Sequence, residues 1–164
     1  MSVGDTFAPE WKRFQDPISG VTVEQLTHYR GHSHHFYFTN PGWYDDNSKL
    51  LFSSDRNNRT NLYSVDLSSG VITQLTDLEP VPLPREVEFL RACVSAHNRE
   101  AYFWHEYKLM ALDLTTLQQR LLYEMPTGFD VTIVALNKGT GILTSFPSVT
   151  HFCLTLGADS PCAD

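Results

Sequence analysis

The sequence predicts an all-β protein, a β-propeller of four-stranded antiparallel blades that is incomplete, with two full blades plus a partial third. Two observations carry this. In "SKLLFSSDRNNRTNLYSVDLSSGVITQLTD", residues 48–77, short runs rich in Leu, Phe, Tyr, Val and Ile alternate with turn residues, which reads as strand, turn, strand, turn, strand. The pair Asp66-Leu67 returns as Asp113-Leu114, and Leu75 returns as Leu122, at one shared interval of about 47 residues. Repeats of that length, each a four-stranded antiparallel sheet, are the mark of propeller blades.

Residues 1–33 form an N-terminal segment whose "DPISGVTVEQLT" echoes "DLSSGVITQLT" in its turn, its glycine and its Gln-Leu-Thr ending. With no strand recognised ahead of it, this echo is read as an orphan outer strand. Blade one covers residues 34–77. The apolar run 48–54 is followed by Asn57-Asn58, residues that tolerate the positive φ of a turn. The stretch 62–67 then alternates apolar Leu62, Tyr63, Val65 and Leu67 with polar partners. Ser68-Ser69-Gly70 makes the next turn, with glycine free to enter the left-handed region, and 71–76 is the outermost strand.

Blade two, residues 88–126, repeats this grammar in "REAYFWHEYKLMALDLTTLQQRLLYEMP". Residues 131–164 hold a partial blade, with strands expected at 131–136 and 141–146, and then an irregular tail in which the Asp-Leu strand and closing turn are missing. Closed propellers have about four to eight blades, so this count predicts a piece of a larger propeller. Its blade faces should be apolar and open, hence prone to self-association.

A chain of 164 residues with 41% apolar and 12% aromatic residues can build a real core. Twelve Lys and Arg against nineteen Asp and Glu give a net charge of −7 and no basic stripe, which argues against a nucleic-acid partner. The first residues lack the apolar core of a signal peptide, and no apolar run reaches the roughly 18 residues a membrane span requires. The expectation is a soluble, cytoplasmic protein with no membrane partner. Cys93, Cys153 and Cys162 are widely spaced and in no CxxC pair, which predicts free thiols.

The stretch "HSHHFYFTNPGWYDDNSKLLFSSDRNNRTNLYSVDLSSGVITQLTD", with "FQDPISGVTVEQLT" before it, resembles the oligogalacturonate lyases, bacterial enzymes of pectin breakdown built on a seven-bladed propeller. The resemblance continues through "NREAYFWHEYKLMALDLTTLQQRLLYEMP", fades after about Phe146, and covers under half of a full-length member. It implies β-elimination on short galacturonate oligomers, with an anionic sugar as substrate and manganese held by His and Gln. The catalytic and metal-binding residues it implies belong to later blades, so no catalytic residue, metal ligand or cofactor site is assigned here. The chain alone is expected to be inactive. The alternative reading is a non-catalytic TolB-like propeller piece that binds protein or sugar.

The substrate-binding candidates are His32, His34, His35 and Arg56. His32, His34 and His35 are read as lying ahead of an inner strand that would line the propeller's central channel, with His32 and His34 on one face and His35 on the other. Three roles suit them: a metal pair, a contact with an anionic sugar, or structural hydrogen bonding. Arg56 could fork onto a uronate carboxylate, or pair with Asp55, or cap a turn. Trp43 and Tyr44 suit either a sugar ring or blade packing. His105 and Glu106 sit in the turn of the second blade, "WHEYK", and since adjacent strand residues point to opposite faces an acid/base pair is not expected of them.

Overall fold

A computed structural model describes residues 2–36, 40–80, 90, 92–95 and 99–126, and the backbone of three strands beyond them. In chain order the strands are β1 (Thr6–Phe7), β2 (Lys12–Gln15), β3 (Thr22–Gln25), β4 (Ser33–His34), β5 (Trp43–Tyr44), β6 (Lys49–Ser54), β7 (Asn61–Asp66) and β8 (Ile72–Gln74). They continue as β9 (Ala92–Ser95), β10 (Glu100–His105), β11 (Lys108–Asp113), β12 (Gln119–Glu124), β13 (Val131–Asn137), β14 (Ile142–Pro147) and β15 (Phe152–Thr155). A 3-10 turn at Arg56–Asn58 is the one helical element among the described residues. None of those residues forms a helix long and apolar enough to cross a membrane.

The first large sheet has the order β1-β8-β7-β6-β4, with β5 also on β6; the second runs β12-β11-β10-β9, the third β13-β14-β15, and β2-β3 stands as a hairpin. The fold is thus a set of antiparallel propeller blades that do not close on themselves. Successive residues of a strand face opposite sides, and here both sides are covered. On β6 and β7, Leu51 and Leu62 join Phe103 and Leu112 in a core shared by the first and second sheets. Phe52, Tyr63 and Val65, offset from them by odd numbers of residues along the same strands, pack on the other side with Ile72 and Phe7. The second sheet likewise turns Tyr102, Leu109 and Ala111 away from the shared core. Two covered faces explain why these strands read as nearly continuous apolar runs, each full burial of a Leu or Phe contributing about 1.5–3 kcal/mol.

The turns repeat at atomic detail. Asp66 Oδ1 accepts the amides of Ser68 at 3.0 Å and Ser69 at 2.8 Å, and Gly70 N–H donates to the Asp66 carbonyl at 2.7 Å, with φ 74° at Gly70. Asp113 does the same with Thr115 and Thr116, at 2.7 and 2.8 Å. Its glycine position holds Leu117 at φ 60°. Asp16 accepts Ile18 and Ser19 at 2.9 and 2.7 Å, and Gly20 closes the turn at φ 70°. Asn57 and Asn58 take the expected positive φ, 56° and 60°.

The structure departs from the sequence reading in three places. The outer strand read as an orphan has a partner, β2, which pairs with β3 from Lys12↔Gln25 to Gln15↔Thr22. Every residue of β2 is exposed, so its sequence carries no apolar alternation to announce a strand. The first strand of blade one is broken: β4 pairs with the end of β6 at Ser33↔Ser54, and β5 with its start at Trp43↔Leu50. A third strand, β15, lies in what was read as an irregular tail, where aromatic Phe152 and β-branched Thr155 favour extended backbone.

Candidate functional site

His32 stands just ahead of β4 and is held by the end of β6. Ser54 Oγ–H and Asp55 N–H both donate to the His32 carbonyl, at 2.8 and 3.2 Å. The Asp55 carboxylate answers with both oxygens: Oδ1 accepts the His32 amide at 2.6 Å, and Oδ2 contacts His32 Nδ1 at 2.9 Å. Gly31 makes this approach feasible, because a Cβ there would collide with Asp55 Oδ1. A carboxylate on Nδ1 fixes the ring's orientation and leaves Nε2 as the outward nitrogen. The His32 side chain is 64% exposed.

The His34 ring stacks on that of His32, with centroids 5.8 Å apart and planes at 23°. Loss of solvation, then the neighbouring His32, holds the His34 pKa below its ordinary 6.5, so His34 is neutral at pH 7. The alternation expected for these two side chains is therefore what the backbone delivers. His35 faces elsewhere, accepting the Gly42 amide at Nε2 from 3.1 Å across the break between β4 and β5. That places His35 in a structural bond.

Arg56 does not have a free fork. It is 2% exposed and grips Glu10 with Nη1 to Oε1 at 2.5 Å and Nη2 to Oε2 at 3.0 Å. Its guanidinium lies 4.8 Å from the Tyr29 ring and 5.6 Å from those of Phe7 and Tyr63. In this structure the carboxylate that Arg56 holds is Glu10, and Asp55, the other expected partner, contacts His32. Glu10 Oε2 also accepts the amides of His28 and Tyr29, at 2.7 and 3.0 Å. Nothing local to Glu10 announces this role.

Tyr44 is buried, donating to Ser64 Oγ at 2.6 Å, whereas Trp43 is 41% exposed. Tyr44 is thus a packing residue. His105 pairs across the second sheet with Lys108, while Glu106 lies in the turn at φ 53°. Among the described residues, no group of three or more His, Cys, Asp or Glu is placed to hold a metal ion. The one cysteine described in detail, Cys93, is a buried free thiol.

Fold and side chains together define a class: an open portion of a β-propeller whose first blade carries an Asp-supported histidine at the start of its inner strand. The match to known proteins is more specific. A family model described as oligogalacturonate lyase fits residues 1–143, and the chain belongs to the oligogalacturonate lyase family. It is 28% identical over 127 residues to the oligogalacturonide lyase of Pectobacterium atrosepticum, covering 77% of this chain and 31% of that one. The chain thus spans about a third of the length of the curated relatives it matches. A crystal structure of oligogalacturonate lyase from Vibrio parahaemolyticus superposes with a TM-score of 0.75 at 24% identity, over 88% of this chain and 37% of that one. At that identity the likeness speaks for the fold. An oligogalacturonate lyase in complex with manganese gives 0.72 at 26% identity, over 88% of this chain and 39% of that one.

Proposed function

We propose that this chain is the N-terminal part of an oligogalacturonate lyase, which cleaves short galacturonate oligomers by β-elimination in pectin degradation, and that the chain alone does not catalyse the reaction. The observation that carries this is the family match over residues 1–143. In such an elimination a base removes the proton on the carbon α to the uronate carboxylate. The electron pair forms the ring double bond, the glycosidic C–O bond breaks, and the leaving oxygen takes a proton. The site must therefore supply a base, a cation for the enolate charge and a proton donor.

No residue of this chain is assigned to that set, and the engagement of its buried arginine supports the reading. Arg56 is engaged by Glu10. Manganese, which one solved lyase holds, is assigned to no residue here, because among the described residues no group of three or more His, Cys, Asp or Glu is placed to hold a metal ion. No step is therefore routed through a metal on this part of the chain. What His32 can offer is a contact. Its outward Nε2 donates to a uronate carboxylate as imidazolium, or accepts from a sugar hydroxyl when neutral, with Asp55 holding the ring for either.

The test combines turnover and binding with the purified chain, digalacturonate and added manganese. No rise in ultraviolet absorbance from an unsaturated product is expected, with weak saturable binding by calorimetry that His32→Ala abolishes. Turnover lost on adding chelator would overturn the inactive reading. Binding indifferent to His32→Ala would remove His32 from the site.

A further inference from the structure

We propose that Asp55 is a positioning residue that makes His32 a proton-linked carboxylate site: the ring takes up one proton as a galacturonate carboxylate docks on Nε2, and Asp55, on Nδ1, holds the ring in the tautomer that allows it. The inference rests on the reading of His32 as a sugar contact and deepens it. It decides between the two ligand groups that Nε2 could meet, and it makes binding depend on pH.

The geometry separates two jobs of one carboxylate. Asp55 Oδ1 accepts the His32 amide at 2.6 Å, a bond open to almost any residue at this position. Ser54 Oγ–H and Asp55 N–H, both on the His32 carbonyl, complete the placement of the main chain. Oδ2 has no part in that. It lies 2.9 Å from His32 Nδ1, a contact that needs the imidazole. A carboxylate accepts and cannot donate, so Nδ1 carries the hydrogen. In the neutral ring Nε2 is then a lone pair, which accepts from a hydroxyl and repels an anion. Protonation turns the same nitrogen into a charged donor and leaves the Asp55 bond in place. The ring keeps its orientation in both states, and only the proton on Nε2 comes and goes.

Linkage follows from where the charges stand. An imidazolium between Asp55 and a uronate carboxylate has an anion at each N–H, and both bonds are charge-assisted. The uronate therefore binds the charged ring more tightly than the neutral one, and by reciprocity the bound uronate holds the proton more tightly. The ligand arrives already ionised, the proton comes from solvent, and no covalent bond changes. Among the described residues, the titratable or charged groups against the His32 ring are Asp55, from the end of β6, and His34, from β4. Loss of solvation, then His32 itself, holds the His34 pKa down, so the stack takes one proton rather than two. Arg56, next to Asp55 in sequence, is 2% exposed in the Glu10 clamp, which leaves the imidazolium as the cation offered here. The side chain of His32 is 64% exposed and that of Asp55 31%, so the ring is the more open of the two to a ligand.

The experiment is calorimetry of the intact chain with digalacturonate from about pH 5 to pH 8, the span in which histidine ordinarily changes charge. Two buffers of different ionisation enthalpy count the protons taken up, and uncharged digalactose is the control ligand. Uptake should approach one proton per ligand at the alkaline end, where affinity should fall about tenfold per pH unit. Digalactose should show neither effect. His32→Gln keeps an uncharged donor and should bind without uptake. Asp55→Asn keeps an oxygen for the His32 amide but turns an N–H toward Nδ1, which moves the ring's hydrogen to Nε2. Uptake and pH slope should then vanish, a change that a merely structural Asp55 would not produce. Nitrogen-15 spectra without ligand, assigned by the signals lost in His32→Gln, should show the hydrogen of neutral His32 on Nδ1 in the parent and on Nε2 in Asp55→Asn. Binding that is absent, or indifferent to His32→Ala, removes the reading of His32 and this inference with it. Binding that requires His32 yet takes up no proton overturns the inference and leaves the reading standing, as does equal uptake in Asp55→Asn. If Asp55→Asn does not fold, the parent spectrum and His32→Gln decide: hydrogen on Nε2 in the parent, or undiminished uptake in His32→Gln, overturns it.

Discussion

Glu10 accepts four donors: both Arg56 Nη groups and the amides of His28 and Tyr29. Removing it would leave an almost fully buried guanidinium without its carboxylate, so Glu10→Ala should cost roughly 3–5 kcal/mol in urea unfolding. The Arg56 hydrogen bonds, chief among the causes, hold the Glu10 pKa below its ordinary 4.5. A depressed folded-state pKa means that this stabilisation is complete above about pH 4.5 and is lost as pH falls through the lower folded value. The urea midpoint should accordingly drop between pH 5 and pH 3, and Glu10→Gln should flatten that slope. At Cys93, burial pushes the thiol pKa up to about 12. Alkylation at pH 8 followed by peptide mapping should find Cys93 unmodified in the native chain and modified in urea.

At the scale of turns and strands, the three aspartate turns separate what the carboxylate does from what glycine does. Gly70 sits at φ 74°, and a Cβ there would meet Pro9 and Trp11 at 2.9 Å. Gly70→Ala should therefore destabilise by at least about 1–2 kcal/mol, the cost of a left-handed alanine. Leu117 already bears that strain, at φ 60°, while packing against the shared core. Leu117→Gly trades relieved strain for lost contact and should stay within about 1 kcal/mol of the parent by thermal unfolding. The Asp66 turn was legible because Asp, a small polar pair and a glycine are local signals, and the glycine with the Gln-Leu-Thr ending fixed the echo at residues 16–27. β2 was illegible because Lys12, Arg13 and Gln15 are polar and Phe14 alone suggests a face. The break between β4 and β5 was passed over because Phe36, Tyr37 and Phe38 read as strand, although Asn40-Pro41-Gly42 after them is a turn signal. Of the site, the facing of His32 and His34 could be read from strand periodicity. The partners Asp55 and Glu10 could not, since both reach across from distant sequence, Glu10 over 46 residues to Arg56.

At the scale of the molecule, the first two sheets share one core, in which Leu51 is fully buried beside Leu62, Phe103 and Leu112. Leu51→Ala should cost about 2–5 kcal/mol and lower hydrogen-exchange protection in β10 and β11 as well as in β6 and β7. If protection fell in the first sheet alone, the two sheets would not be one cooperative unit. The Glu10–Arg56 clamp has a consequence in time. β6, β7 and β8 are joined by short turns and can pair soon after collapse, whereas Glu10 and Tyr29 approach Arg56 only after long stretches of chain have been closed. The clamp then forms after the folding barrier has been crossed, and a contact made late slows only the return journey. In stopped-flow experiments, Glu10→Ala should leave the refolding rate nearly unchanged and speed unfolding by most of its equilibrium cost. The carboxylate would thus govern how long the hairpin stays docked once assembled, with little influence on how quickly it gets there.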